Sequence, residues 1–340
     1  MSEDEKGFKY PKVNHSFCIN CGLCETVCPI KNIVKEDNKL PISFAAANRN
    51  KKIRMQSSSG GIFSLLAEYI IHNGGAVFGA AFNKEFLVEH IKVEDINSLL
   101  KLRGSKYIQS DIKNTYKAAK ALLDENRLIL FTGTPCQIEG LKTYLRKDYK
   151  NLYTQDLICH GVPSKNVWKK YLEFIRKQES SKLKDINFRN KENKGWNNYQ
   201  LLFTYENLKK YVDHKEDMFM NIFLSDIALR DSCYSCKFKK KHRNSDITLA
   251  DFWGIDKVLP EMNSEKGTSL VIVNSEKGKE LLENVKEKLI LKQVDFEKAI
   301  ENNKSMTKSS EENKYRDAFF ENLDELELEE LIYKYVKKRE

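Results

Sequence analysis

The chain has 340 residues, of which 41% are hydrophobic and 31% charged, and this composition is typical of a folded protein of one or two domains. Its 15 glycines and 6 prolines exclude the collagen-like and low-complexity classes. The net charge of +9 is spread along the sequence, and no uncharged apolar stretch is long enough for a transmembrane helix. The N-terminus is charged with no apolar segment behind it, so we expect no secretory signal and a cytoplasmic location.

Cysteine is the most informative residue type in this sequence. Without a signal peptide we expect reduced thiols rather than a disulfide framework. Six of the eight cysteines lie at the short spacings that are typical of metal ligands. The eight are Cys18, Cys21, Cys24, Cys28, Cys136, Cys159, Cys233 and Cys236.

The first four cysteines form the pattern C-x2-C-x2-C-x3-C-P, which ends at Pro29. This is the spacing of ferredoxin loops, in which thiolates hold an Fe4S4 cluster. Gly22 eases the tight turn, and Pro29 prevents regular structure from continuing beyond the last thiolate. Zinc fits less well, because zinc sites usually use two separated pairs of ligands. The spacing leaves open whether Cys28 or a distant cysteine completes the cluster.

A Ser/Gly-rich segment precedes a predicted helix over residues 62–72. Such a turn at a helix N-terminus offers free N–H groups and hydroxyls to a phosphate, although a simple serine N-cap has the same appearance. The candidate phosphate-binding residues of this segment are Ser58, Ser59, Gly60 and Gly61. Further along the chain, Arg103 and Lys106 are candidates for holding an anionic cofactor, or are surface charges.

Two predicted buried strands, over residues 127–131 and 153–159, each lead into a loop that contains a cysteine. Ligand sites in open α/β sheets lie at the carboxyl ends of the strands, so we expect Cys136 and Cys159 at that edge. Cys233 and Cys236 would complete a set of four thiolates there. The alternatives are ordinary buried cysteines, or zinc at Cys233 and Cys236. The first of these loops carries a second candidate phosphate-binding turn, Thr132, Gly133 and Thr134. No GKS or GKT follows it, which excludes a P-loop NTPase.

Three further features have two interpretations each. The basic run over residues 237–243 is interpreted as the rim of a loop rather than as a nucleic-acid contact. His160 is a loop histidine or tunes a nearby cluster. Asp251, Phe252 and Trp253 form a packing turn or border a cofactor. No catalytic residue is assigned, because in redox proteins the cofactors carry the chemistry.

Several stretches between residues 56 and 274 resemble the coenzyme F420 hydrogenase/dehydrogenase beta subunit family. They are SSSGGIFSLLAEYII, GGAVFGAAF, LRGSKYIQSDI, LFTGTPCQIEGLKTYL, DLICHGVPS, SCYSCKFK, SDITLADFWGI and GTSLVIVN. Members of this family join an iron–sulfur module to a flavin-binding fold and move electrons between clusters, FAD and a deazaflavin or another acceptor. The resemblance implies a second 4Fe-4S cluster on the last four cysteines. It also implies FAD at one of the two candidate turns. Many relatives carry two ferredoxin runs, whereas this chain has one.

The predicted fold class is therefore α/β, with a mixed-sheet flavin-binding domain and a small N-terminal ferredoxin-type module. We predict a cluster module over 1–37, a connector over 38–56, the beta-subunit-like domain over 57–274 and a helical part over 275–340. The predicted function is an iron–sulfur flavoprotein oxidoreductase. Its predicted partners are a redox protein (a ferredoxin or a dehydrogenase subunit) and a small-molecule acceptor. We expect no membrane span and no binding of nucleic acid. The alternatives are an iron–sulfur electron-transfer or scaffold subunit without flavin, and a zinc-stabilised binding protein.

Overall fold

The structure is a computed structural model and describes residues 1–32 and 40–336. Its strands are β1 (Ser2–Glu3), β2 (Lys9–Tyr10), β3 (Ile42–Asn48), β4 (Ala76–Phe82), β5 (Val88–Val93), β6 (Ile129–Thr132), β7 (Leu152–Leu157), β8 (Leu183–Asn190), β9 (Gln200–Tyr205), β10 (Lys209–Asp213), β11 (Ile247–Asp251), β12 (Ser269–Val273) and β13 (Leu289–Val294). The first α-helices are α1 (Leu23–Thr26), α2 (Lys51–Met55), α3 (Ile62–His72), α4 (Ile96–Leu99), α5 (Thr115–Asp124), α6 (Pro135–Leu145) and α7 (Lys165–Gln178). The later ones are α8 (Met218–Leu224), α9 (Asp231–Tyr234), α10 (Ile255–Val258), α11 (Glu276–Glu283), α12 (Phe296–Ile300), α13 (Arg316–Glu321) and α14 (Leu328–Leu331).

The central element is a mixed sheet of eight strands in the order β13-β3-β12-β11-β7-β6-β4-β5. The strands β11, β7, β6 and β4 run parallel, and β5, β12 and β13 run antiparallel to their neighbours. Most residues in the strands of this sheet are apolar, because helices cover both of its faces. The predicted α/β fold with a mixed sheet is therefore confirmed.

The side chains of β6 alternate between the two faces of the central sheet and belong to two different buried clusters. Leu130 packs with α3 in one buried cluster, whereas Ile129 and Phe131 pack with α5 and α6 in another. Successive side chains of a strand point to opposite faces, so one short strand contributes to both cores. The predicted helix over residues 62–72 coincides with α3.

A second layer covers one end of the molecule. The antiparallel sheet β10-β9-β8 shares a core with α7, α8 and the C-terminal helices, and Trp168 lies at its centre with its indole N–H donated to the carbonyl of Phe86. Residues 275–340, predicted to be a helical part, also contain the strand β13. Their last described segment is helical. It consists of α14 and a π-helical turn, Ile332–Val336.

The first ten residues pack on the main domain. Phe8 is 1% exposed, and the hydroxyl of Ser164 donates to the carbonyl of Lys6. Arg230 lies 4.1 Å from the ring centroid of Tyr10 and donates to the carbonyl of Lys9. The predicted boundary between residues 37 and 38 lies outside the described residues. No helix in the described part of the chain is long and apolar enough to span a membrane.

Candidate functional site

The loops that follow β3, β6, β7 and β11 meet at one edge of the central sheet, because these strands point the same way. Thr132 pairs with Gln155, and Leu249 pairs with Leu157, so the ends of β6, β7 and β11 lie side by side. The Ser/Gly turn, residues 57–61, follows β3 and reaches the same edge: the amide of Gly60 donates to the hydroxyl of Ser269 at the start of β12. This edge holds most of the candidate residues.

Three chain segments bring Cys136, Cys159, Cys233 and Cys236 to this edge, and we call these four residues the main-domain cysteine site. Cys136 lies in the first turn of α6, and Cys159 follows β7 by two residues. The backbone of residues 162–164 pairs with that of residues 228–230, through Ser164 N–H to Ala228 O at 2.9 Å and Arg230 N–H to Val162 O at 2.9 Å. This pairing sets the loop of Cys159 beside α9, which carries Cys233.

The thiols of Cys136, Cys159 and Cys233 each have a raised pKa, and other cysteines of the site contribute to each shift. Burial raises the pKa of Cys159, and the charges of Cys136, Cys233 and Cys236 raise it further. Burial raises the pKa of Cys233 to about 11, with the backbone N–H of Val162 acting in the opposite direction. Cys136 is an exposed residue, but surrounding protein atoms desolvate its thiol and raise its pKa. The Thr134 hydroxyl, 3.1 Å from its sulfur, lowers that pKa and so partly offsets the effect of burial.

A cluster and a zinc ion are the two metal centres that the sequence offers for these thiols. Among residues 1–32 and 40–336, no three His, Cys, Asp or Glu side chains are grouped closely enough to hold a single metal ion. Thiolates on an Fe4S4 cluster stand further apart than the ligands of one ion, because each binds a different iron atom. An Fe4S4 cluster would therefore bind these four sulfurs at larger separations than a zinc ion would.

The N-terminal cysteine loop, residues 18–28, has a different character. Cys18, Cys21 and Cys24 are exposed, and Cys28 is half-buried. Gly22 adopts a φ of 69°, in the left-handed region that favours glycine, directly before the one-turn helix α1. The loop is held locally by Asn32.

The Asn32 side-chain amide donates to the carbonyls of Glu25, Thr26 and Cys28 at 2.9–3.0 Å. Glu25 and Thr26 end α1 and Cys28 follows it, so the Asn32 side chain fastens the end of this helix to the turn after it. Sequence analysis did not single out Asn32. Its position just after the C-P pair is the signal that could have found it.

The polar groups of the Ser/Gly turn are used within the protein. The Ser58 hydroxyl accepts from the backbone N–H of Ser105 at 2.8 Å, and the Ser59 hydroxyl donates to the carbonyl of Thr268 at 3.0 Å. A Cβ on Gly60 would lie 2.4 Å from the carbonyl oxygen of Ala46, so glycine is required here by backbone packing. Gly61 begins α3 with a φ of 82°.

The second candidate turn, residues 132–134, is held by His90 from β5. His90 Nε2 lies 2.8 Å from the carbonyl oxygen of Thr132, and Nδ1 lies 2.5 Å from the Ser110 hydroxyl. A carbonyl only accepts, so Nε2 carries the proton and Ser110 donates to Nδ1. Burial lowers the pKa of His90 to about 4, which keeps the ring neutral. The Gly133 amide donates to Gln155, and Thr134 begins α6 in a capping box with Gln137.

The two predicted anion-binding side chains also have partners within the protein. Arg103 donates to the Ser64 hydroxyl at 3.0 Å and to the Gln56 side chain at 2.9 Å. The Lys106 amine donates to the carbonyls of Lys101, Arg103 and Gly104, and burial lowers its pKa to about 7. Both side chains therefore shape the loop after α4.

Sequence analysis missed two buried cations at the end of β8. Arg189 is 4% exposed and lies 3.0 Å from the Asp251 carboxylate, and Lys191 is 1% exposed. The Lys191 amine donates to the carbonyls of Arg54, Ser59 and Lys266 at 2.6–2.9 Å, so it fastens the Ser/Gly turn to the loop before β12. The available signal was two cations spaced two residues apart at the end of an apolar strand, where they share one face.

The remaining candidates have defined surroundings. In the basic run, Arg243 is buried against Asp156, and Lys241 pairs with Glu297 at 2.6 Å, so this run largely joins elements of the domain. His160 Nε2 lies 2.5 Å from the Asp226 carboxylate. Phe252 is buried in the core, whereas Trp253 is half-buried at the sheet edge.

Comparison with known proteins gives two family matches. Residues 11–34 match the 4Fe-4S binding domain. Residues 126–299, just over half of the chain, match the C-terminal part of the coenzyme F420 hydrogenase/dehydrogenase beta subunit. The chain belongs to this beta subunit family. The resemblance seen in the sequence is thereby confirmed.

Among the relatives of this family member, the coenzyme F420-dependent sulfite reductase of Methanocaldococcus jannaschii is 24% identical over 270 residues. The match covers 76% of the present chain and 40% of that protein, so the chain spans less than half of the relative's length. A chain of the F420-reducing [NiFe] hydrogenase complex from Methanosarcina barkeri superposes with a TM-score of 0.53 and 17% identity, over 88% of this chain and 95% of that chain. This likeness shows a shared fold.

Proposed function

We propose that this protein is an electron-transfer oxidoreductase that links two Fe4S4 clusters to a flavin or deazaflavin. One cluster is bound by the N-terminal cysteine loop and the other by the main-domain cysteine site. The ring cofactor lies at the same sheet edge. A ferredoxin or a dehydrogenase subunit exchanges electrons with the N-terminal cluster, and a small molecule is the final acceptor. We expect this chemistry in the cytoplasm, where thiols stay reduced.

The observation that carries this proposal is the convergence of Cys136, Cys159, Cys233 and Cys236. Cysteines from three separate segments raise one another's pKa at the edge of the sheet, where ligands bind in α/β folds. Proximity does not stabilise metal-free thiols, because the negative charge of one thiolate disfavours the ionisation of its neighbours. Iron binds the deprotonated form and removes this repulsion.

The surroundings of these sulfurs supply stabilising dipoles. Thr134 offers a hydroxyl to Cys136, and Cys136 lies in the first turn of α6, where the backbone N–H of Gln137 is near its sulfur. The N–H of Val162 approaches Cys233. Hydrogen bonds to sulfur stabilise an anionic cluster and tune its potential. A bound cluster would supply one-electron transfer and a bound flavin two-electron transfer.

The N-terminal loop is tethered beside this site. Arg230 holds the end of the N-terminal hairpin through Lys9 and Tyr10, and its own carbonyl accepts from the N–H of Cys233 at 2.8 Å. The eight steps along the chain from Tyr10 to Cys18 reach at most about 30 Å when extended. The N-terminal cluster is therefore confined to the neighbourhood of the second site.

Anaerobic purification of the full chain tests the proposal. We expect about eight iron and eight sulfide per chain, since each cluster holds four of each. The variants Cys159→Ala and Cys236→Ala should each lose about half the iron, whereas Ser235→Ala, between Cys233 and Cys236, should keep all of it. Full iron content in both cysteine variants would exclude the second cluster.

A second candidate function is an iron–sulfur subunit without flavin. The observation in its favour is that the Ser/Gly turn uses its hydroxyls within the protein. The same preparation separates the two candidates. Flavin or deazaflavin absorbance, retained or restored by adding the compound, supports the oxidoreductase, and full cluster absorbance without saturable ring binding supports the carrier.

A further inference from the structure

We propose that Lys239 is the cation of the main-domain cysteine site and that its charge raises the reduction potential of the cluster bound there. This inference rests on the proposed function, in which the four cysteines of that site hold an Fe4S4 cluster. Lys239 is not one of the ligands, but its charge decides how readily this cluster accepts an electron.

Lys239 differs from the cations that follow it in the basic run, residues 237–243. Those cations pair with carboxylates at 2.6–3.8 Å, and they are Lys240, Lys241 and Arg243. The Lys239 amine instead donates to the backbone carbonyl of His160 at 2.9 Å. A carbonyl is a neutral acceptor, so this hydrogen bond fixes the position of the amine without compensating its charge.

The carbonyl that holds Lys239 belongs to a cysteine loop. His160 directly follows Cys159, and Lys239 itself lies three residues after Cys236. The hydroxyl of Ser310 donates to the same carbonyl at 2.8 Å. One carbonyl beside Cys159 is therefore held by two donors, of which only the Lys239 amine can carry a charge.

Lys239 and the thiols of the site act on one another electrostatically. Burial lowers the pKa of the half-buried Lys239, and negative charges on three cysteines of the site act in the opposite direction. Burial raises the pKa of the Cys159 and Cys233 thiols, and the charge of Lys239 acts in the opposite direction there. The carboxylate of Asp226 acts on Lys239 after the thiols and lies 2.5 Å from His160. Lys239 is therefore placed to stabilise thiolates.

A positive charge at this place favours the reduced form of a cluster. An Fe4S4 cluster held by thiolates is an anion, and its reduction adds one electron, and hence one negative charge, without making or breaking a bond to the protein. An ammonium that is partly shielded from water attracts the reduced form more strongly than the oxidised form. We therefore expect Lys239 to make this cluster a better electron acceptor.

An anaerobic redox titration of the full chain tests this role. Dithionite is the reductant, and electron paramagnetic resonance measures the reduced fraction of each cluster. The Cys21→Ala protein, which lacks the N-terminal cluster, identifies the signal of the main-domain cluster. The decisive variant is Lys239→Gln, which removes the charge but keeps a donor for the carbonyl of His160. At the wild-type midpoint potential we expect its ratio of reduced to oxidised main-domain cluster to fall at least tenfold, equivalent to about 59 mV for a one-electron couple.

Three control variants separate the charge from the hydrogen bond. Lys239→Arg keeps the charge, and Ser310→Ala removes the other donor to the same carbonyl without changing any charge. Lys237→Gln removes an exposed cation of the same run, whose charge water screens. Each should change the ratio less than about threefold, because none of them removes a partly buried charge. The signal of the N-terminal cluster should keep its potential in every variant.

The iron content and the potential together decide the outcome. An unchanged ratio in Lys239→Gln, with full iron content, overturns the role of Lys239 and leaves the two-cluster oxidoreductase standing. A tenfold shift in Ser310→Ala or Lys239→Arg also overturns it, because the hold on the loop would then matter rather than the charge.

Loss of iron has an equally definite meaning. If Lys239→Gln loses half of its iron while Lys239→Arg and Ser310→Ala keep all of theirs, the cluster anion needs the cation, which supports the proposal. Loss of iron in all three variants overturns it. If Cys159→Ala has the same iron content as the wild type, there is no main-domain cluster, and the proposed function falls together with the role of Lys239.

Discussion

The N-terminal cysteine loop and the main-domain cysteine site present four thiols each, but they are built in opposite ways. The first set lies between Cys18 and Cys28, with three of its four thiols exposed and its turn held by Gly22 and Asn32. The second set comes from three segments that only the sheet and the pairing of residues 162–164 with 228–230 bring together. A cluster site can therefore be encoded by local spacing or by a fold, and we expect the two kinds to respond differently to mutation.

The largest expected effect separates the two sites by their iron. Cys21→Ala and Cys159→Ala should each remove about half of the iron, and the double variant should remove nearly all of it. Because the second site is part of the domain, Cys159→Ala should also lower the thermal midpoint of the cluster-loaded protein, since bound metal stabilises the folded form. Cys21→Ala should leave that midpoint nearly unchanged. Iron analysis measures the cluster content and calorimetry measures the thermal midpoint. Equal decreases of the midpoint in the two variants would contradict the difference between the two sites.

Two phenylalanines of the N-terminal region should differ almost as sharply. Phe8 is 1% exposed in the docked hairpin, and Phe17, directly before the N-terminal cysteine loop, is 84% exposed. Phe8→Ala should lower the free energy of unfolding by about 3–5 kcal/mol, the usual cost of deleting a buried phenylalanine, and Phe17→Ala by less than about 0.5 kcal/mol. Urea titration of both variants tests this, and a comparable loss in Phe17→Ala would show that the loop packs on the domain.

The two glycine turns at the sheet edge should also differ in how much stability an added side chain costs. A Cβ on Gly60 would lie 2.4 Å from a backbone oxygen, whereas one on Gly133 would lie 3.1 Å from the Gln137 side chain, which can move. We expect Gly60→Ala to cost about 3 kcal/mol, at the upper end for overpacking, and Gly133→Ala about 1 kcal/mol or less. Chemical denaturation measures both. Equal costs would mean that the edge near Gly60 is looser than the structure shows.

The smallest expected effect concerns pH and His90. Its folded pKa of about 4 lies below the ordinary value of 6.5, so the unfolded chain binds more protons between these values and stability falls as the pH is lowered through this window. The loss between pH 7 and pH 5 should be about 2 kcal/mol. Asp217, whose pKa burial raises to about 6, changes stability in the opposite direction, so variants must be compared with the wild type.

His90→Gln should remove this contribution while keeping a donor for the carbonyl of Thr132. His72→Gln, on an exposed position at the end of α3, should behave like the wild type. Urea titrations at the two pH values provide the difference. A His90→Gln protein with the wild-type pH dependence would contradict the buried neutral imidazole.

The sequence alone determined the features that depend on neighbouring residues. The spacing from Cys18 to Cys28 identified a ferredoxin-type loop, because the ligands of such a loop are neighbours in the chain. The periodicity of residues 62–72 predicted α3, and the apolar runs predicted β6 and β7 to within two residues, because burial of a strand or helix face leaves a regular pattern. The motifs between residues 56 and 274 identified the family.

Only the tertiary structure decided how side chains from distant parts of the chain are arranged at the sheet edge. Gly60 looked like a position for a phosphate, and the contact with β3 shows that its missing side chain makes room for the backbone. Sequence analysis did not single out Arg189 and Lys191 in FRNK, because a sequence does not show that the layer of β8, β9 and β10 buries them near Asp251 at the end of β11. Charge, burial and partners at this edge arise from segments far apart in the chain, so no local pattern records them.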